Sequence, residues 1–344
     1  MSRSQTIFSE IYTAMSIFGT DFPNDILCVK DSDNEIYQQE LLKRTKSKAN
    51  IIKNKALSDA GEILRRHILG QGINNFQVKW VGNDSLSGIE SVAKDLEIKP
   101  LNWRISIKEN ADVFINGSTT TIFIDLPNGN FGQKVRGEDW FVKVAPEELQ
   151  EYYLSCNGNE MTGFTTIKEY YNHIKINNKK EFSKYVSKLH CDKISKVLLA
   201  YQELCNKVSI ESANIFNLNF KKFELSRNNK NRLTPIFHFF FKINGVAYYL
   251  IGSEKNKSFA VELPSSSEWV KKYEFTSIEA IPKKAEQPEV VLNFSFKNKE
   301  TNAVNIIPLK IEIRWSHGKF CGNPEAKVYK QWSYTELPWV KVLK

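Results

Sequence analysis

SVAKDLEIKPLNWRISIKENADVFINGS, residues 91–118, carries two short runs on either side of a proline turn. Val92–Ile98 reads as a strand closed by Pro100, and Trp103–Lys108 alternates apolar and polar side chains with a period of two. Side chains two apart on a strand point the same way. Ser106 and Lys108 therefore share one face, while Ile105 and Ile107 bury on the other. Pairing of the two runs as a hairpin brings Asp95 beside Ser106 and Lys108.

The flanking sequence alternates between helical and extended periods. Upstream, Phe8, Ile11, Tyr12, Met15 and Phe18 form a one-sided apolar stripe, and Ala56–Leu69 predicts a second helix ended by Gly70. Phe76–Val81 predicts a strand before the hairpin, and Thr121–Leu126 a further strand after it, ended by Pro127-Asn128-Gly129. Pro146 to about Lys207 returns to helix. In the last third, Ile236–Ile243 and Val246–Ile251 flank Asn244-Gly245, which predicts a hairpin, and Val290–Phe296 and Leu309–Trp315 predict two more strands. Ser277–Pro288 reads as a connector.

The expected fold is mixed α/β (α+β), a central mixed sheet flanked by helices with a β-rich C-terminal region. The expected divisions are 1–145 (N-terminal helices and core), 146–215 (helical) and 216–344 (β-rich, target recognition). With 344 residues, 22 Phe, 13 Tyr and 7 Trp, the chain has ample apolar area for packed cores.

Net charge is +9, partly concentrated. Leu41–Arg66 holds eight basic and two acidic residues, a local net of +6, and Lys168–Lys207 holds nine Lys against four acids. Lys221, Lys222, Arg227, Lys230 and Arg232 form a third cluster. Such stretches suit a phosphate backbone, where each neutralised charge releases counterion. No run approaches the roughly 20 apolar residues that span a bilayer, and the first residues lack a secretory signal core, so a cytoplasmic location is expected. The five cysteines and five histidines show no zinc-ligand spacing, and no glycine-rich nucleotide loop occurs.

One carboxylate, another oxygen donor and a lysine meeting at a sheet edge are what metal-assisted phosphodiester hydrolysis needs. Carboxylate oxygens hold Mg²⁺, and the lysine orients or deprotonates a water. Asp95, Ser106 and Lys108 in this order resemble the PD-(D/E)XK nuclease superfamily, in particular type II restriction endonucleases whose second strand reads Ser-x-Lys. The resemblance covers roughly residues 56–126. It implies a restriction-endonuclease-like core, Mg²⁺ as cofactor, and hydrolysis of double-stranded DNA at specific sites to leave 5′-phosphate ends. It also implies a place in a restriction-modification system, and a homodimer, since a palindrome presents two equivalent half-sites.

Ser106 cannot bind metal as a carboxylate does, so another acid must supply that charge. Glu62, in the helix before the hairpin, is the first candidate, followed by Glu97, Asp112 and Asp125. Asp95 and Glu62 are thus the expected metal ligands. The loop after Leu309–Trp315 gathers Arg314, Ser316, His317, Lys319, Asn323 and Lys327, donor-rich types suited to base edges and phosphates. The alternative to an enzyme is a non-catalytic basic nucleic-acid-binding protein in which Asp95 and Lys108 merely pair.

Overall fold

The structure is a computed structural model that describes residues 2–82, 94–109, 113–130, 139–225 and 234–344. Val92, Ala93, Asp112, Arg227, Lys230 and Arg232 lie outside the described residues. The chain divides into two units, each assembled from separated segments: 1–112, 238–272 and 332–344 in the first, 113–237 and 273–331 in the second. Of the expected divisions, 146–215 falls wholly in the second unit, whereas 1–145 and 216–344 contribute to both.

In the first unit the elements are α1 (Arg3–Phe18), α2 (Asp31–Arg44), α3 (Lys48–Gly70), β1 (Gln77–Trp80), β2 (Leu96–Lys99) and β3 (Trp103–Glu109). After β4 (Val113–Ser118), which belongs to the second unit, the first unit resumes with β5 (Tyr248–Glu254) and β6 (Lys257–Leu263), and ends with β11 (Lys341–Val342). The sheet order is β1-β2-β3-β5-β6-β11; β3 and β5 run parallel and the other pairs antiparallel. Helix α1 starts on a capping box, Ser2 with Gln5, and stops at Gly19, whose φ of 85° suits a residue without Cβ.

The apolar stripe foreseen on α1 packs Phe8, Ile11 and Met15 with Leu57, Ala60 and Leu64 of α3. Together they cover the sheet face formed by Val78, Leu96, Ile98, Ile105, Ile107 and Ile251. Each such aliphatic side chain contributes roughly 1.5–3 kcal/mol by leaving water. Gly61 lets the two helices meet, since a Cβ there would lie 2.7 Å from Ser16 Cβ and 3.0 Å from the Thr13 carbonyl oxygen.

The second unit holds the antiparallel sheet β4-β10-β9-β8-β7, with β7 (Tyr273–Lys283), β8 (Glu289–Asn298), β9 (Val304–Trp315) and β10 (Pro324–Lys330). Helices α4 (Trp140–Val144), α5 (Pro146–Ser155), α6 (Gly158–Thr162), α7 (Ile167–His173) and α8 (Ile176–Cys191) precede α9 (Ser195–Leu225), which packs on β7 and β8.

Three expectations are corrected. Thr121–Asp125 is a wide helical turn, closed by the Leu126 N–H donating to the Thr121 carbonyl at 3.0 Å; an apolar run this short carries no decisive period. Ile236–Phe241 is not a strand but most of α10 (Thr234–Phe241), which buries Ile236, Phe237, Phe240 and Phe241, a helical spacing. Ser277–Lys283 is not a connector but part of β7, where Ile278 and Ala280 turn inward between exposed neighbours. As an edge strand β7 tolerates Pro282, and Asn217 of α9 both donates to and accepts from the Ala280 backbone at 2.8 Å. Helix α11 (Ser266–Lys272) closes the first unit's second segment.

Candidate active site

The hairpin register sets Leu96 opposite Ile105 and Glu97 opposite Arg104, so the next rung places Asp95 opposite Ser106. Asp95 Oδ2 accepts from Ser106 Oγ at 3.1 Å and from the Ile107 N–H at 2.6 Å, while the Asp95 N–H donates to the Ile105 carbonyl at 2.9 Å. Two bonds thus fix this carboxylate through Oδ2, a third fixes its backbone, and Oδ1 has no hydrogen bond with a described residue. Lys108 stands two residues along on the Ser106 side, and its ammonium makes no hydrogen bond or ion pair with any described residue.

Backbone packing sets the position of Lys108. It lies opposite Gly252 on β5, and a Cβ on Gly252 (φ 148°) would overlap the Lys108 carbonyl oxygen. The next residue, Glu109, turns to the opposite side and is buried. It accepts from Arg44 at 2.9 and 3.1 Å and from Ser9 Oγ. Arg44 also donates to Glu40 at 3.4 Å and Asn54 at 3.2 Å and lies 4.4 Å from the Phe8 ring centre. This buried network ties α1, α2 and α3 to the end of β3. Counted by sequence among a basic stretch, Arg44 is therefore interior and unavailable to a phosphate backbone.

The second carboxyl near Asp95 is Glu10, which sequence reasoning missed. Glu10 is buried on α1 and accepts from Trp80 Nε1 at 2.7 Å. Burial, and then the Asp95 charge, push its pKa up to about 7, against the opposing pull of the Trp80 hydrogen bond and the Lys108 ammonium. Both Asp95 and Lys108 are thus within its electrostatic range. One signal was available: Glu10 is the only acid in α1.

Glu62, expected to supply that carboxylate, is exposed on α3 and has no hydrogen bond or ion pair with a described residue. The Gly61 beside it serves the α1–α3 crossing. Glu97 is committed elsewhere: burial would raise its pKa, but Lys94 at 2.9 Å and Lys99 at 3.3 Å hold it below the usual carboxylate range. Asp125 belongs to the second unit.

Among the described residues no group of three or more His, Cys, Asp or Glu side chains comes together. The nearest candidates are the Asp95 carboxylate, hydrogen-bonded to the Ser106 hydroxyl, and the Glu10 carboxyl within its electrostatic range, both hard oxygen ligands. They suit Mg²⁺, which keeps several waters and needs only one or two protein carboxylates. Comparison with protein-family models, with curated proteins and with solved structures finds no match for this chain.

The proposed DNA contacts all lie in the second unit. Arg314 pairs with Glu312 at 3.2 Å, and Lys327 approaches Glu325 at 4.0 Å, on two rungs of β9 and β10 separated by the Ile313–Ala326 rung. The loop between them is tightly built: Gly318 and Gly322 have φ of 101° and 81°, the His317 N–H donates to the Cys321 carbonyl at 3.3 Å, and buried Phe320 packs among Tyr152, Phe182 and Trp315. His317 and Asn323 are exposed, Ser316 is half-buried, and Lys319 lies over the Tyr201 ring at 4.5 Å. No described helix is long and apolar enough to cross a membrane.

Proposed function

We propose that the protein is a Mg²⁺-dependent, sequence-specific endonuclease of double-stranded DNA, of the type II restriction kind, leaving 5′-phosphate ends. The observation that carries this reading is the placement of Asp95, Ser106 and Lys108 along one side of the β2–β3 hairpin, the Lys108 ammonium having no hydrogen bond or ion pair with a described residue, with the buried Glu10 of α1 within electrostatic range of Asp95 and Lys108.

Asp95 and Glu10 would hold the ion, through Oδ1 of the first and the oxygen of the second that Trp80 leaves free. When bound, Mg²⁺ supplies charge neutralisation at the scissile phosphate and a more acidic water. Ser106 and the Ile107 N–H keep the Asp95 carboxylate in one orientation, so it need not reorganise during reaction. Lys108, as an ammonium, donates to and aligns the attacking water. Burial pushes the Glu10 pKa up to about 7, so a cation held there would displace its proton near neutral pH.

Target recognition falls to Arg314, Ser316, His317, Lys319, Asn323 and Lys327, with a palindromic site read by a homodimer in the cytoplasm. The test is incubation of purified protein with unmethylated plasmid and phage DNA, with Mg²⁺ or with EDTA, beside Lys108→Ala and Glu10→Gln. Discrete fragments that need Mg²⁺ and vanish in both variants are expected. Intact DNA with salt-sensitive gel retardation would replace the enzyme by a DNA-binding protein.

A further inference from the structure

The second unit contains a pocket of about 730 Å³ whose lining includes Lys193, Lys284, Lys319, Tyr201, Gln202 and Gln287. That volume is the size of a small-molecule site, and a bare phosphate would leave most of it empty. Three lysines face it against one acid, Glu286. Lys319 is half-buried over the Tyr201 ring and has neither a hydrogen bond nor an ion pair with a described residue. An ammonium drawn partly out of water without a counter-charge is costly unless an anion completes it.

The neutral groups are also oriented. The Tyr201 hydroxyl donates to Gln287 Oε1 at 2.6 Å, which leaves the amide nitrogen of this lining residue as its remaining donor group. Gln202 is exposed and adds a second amide, a group that matches the donor and acceptor edge of a base. His190, also in the lining, bonds through Nε2 to the Tyr152 hydroxyl at 2.8 Å, and burial and Lys319 lower its pKa to about 4, so it adds no charge at neutral pH.

We infer that this pocket binds a nucleotide, with its phosphate at Lys193, Lys284 and Lys319 and its base edge against the amides of Gln202 and Gln287. The pocket shares Lys319 with the proposed recognition residues but is separate from the Asp95 cluster, and its test needs neither Mg²⁺ nor cleavage, so the nucleotide site and the nuclease chemistry can each fail alone.

Calorimetric titration of the full chain with deoxynucleoside monophosphates decides it, with the nucleosides and inorganic phosphate as separate arms. The monophosphate should bind more tightly than either part, and Lys319→Met should weaken it by roughly tenfold or more, the loss expected for one charge-assisted bond. Lys193→Gln, at an exposed position whose loss leaves the fold intact, should weaken it several-fold. Competition by a single-stranded oligonucleotide would place a strand's own nucleotide in the pocket; its absence would make the free nucleotide the ligand. No binding, binding no tighter than that of phosphate, or affinity unchanged in both variants would overturn the proposal.

Discussion

Replacing Glu10 with Gln should make the protein more stable in mildly alkaline solution while removing the proposed activity. The carboxyl has an ordinary pKa of 4.5 and is pushed up to about 7 in the folded chain by burial and by Asp95. A raised carboxyl pKa contributes stability that is present below pH 4.5 and lost as pH rises through about 7. At 1.36 kcal/mol per unit, the difference between 4.5 and about 7 sets a ceiling of roughly 3 kcal/mol on what the ionised form costs the fold. Gln keeps an oxygen for Trp80 Nε1 and carries no charge. Urea unfolding of both proteins without Mg²⁺, at about pH 5 and about pH 8.5, isolates the effect. The variant should gain about 2–3 kcal/mol at the higher pH and much less at the lower. Added Mg²⁺ should stabilise the parent and not the variant, because the ion binds only the folded chain. A variant less stable than the parent at the higher pH, or a gain equal at both, would refute the argument.

Glu62→Gln, at an exposed position, should leave cleavage within about twofold of the parent, as for other exposed positions remote from the chemistry, in a plasmid-digestion time course. Gly252→Ala should cost more than about 2 kcal/mol, because its Cβ would overlap the Lys108 carbonyl at a φ of 148°, and a thermal melt should show a lowered midpoint together with lost cleavage. Arg44→Met should cost about 3–5 kcal/mol in urea, since it leaves the buried Glu109 carboxylate without its cation, while Glu40 keeps Lys43 at 3.7 Å.

The hairpin around Asp95 was legible because period-two alternation and a proline turn are local signals, and register then follows from geometry. The α1 stripe was legible for the same reason. Glu10 was not, because its role depends on Trp80 and Asp95 meeting it across long sequence separations, and nothing in α1 alone distinguishes a buried acid from an exposed one. Glu62 misled because Gly61-Glu62 looked like a functional pair, whereas the glycine answers a helix crossing. In Thr234–Phe241 the turn signal of Asn244-Gly245 outweighed Thr234-Pro235, a helix start whose buried positions are spaced as a helix requires.

The pairing of Lys108 with Gly252 also governs when the site can exist. The two residues are 144 positions apart (252 − 108), and most of the second unit is encoded between them. On the ribosome, Asp95, Ser106 and Lys108 are made early, yet β3 has no partner on its Lys108 side until β5 emerges. Such a distant parallel pairing is slow to form, and until it does an unpaired strand edge stays open to other nascent chains. A cell making this protein therefore carries the hairpin as an incomplete, aggregation-prone element while the residues between β3 and β5 are being translated, and the cluster is assembled only after that intervening stretch has been made.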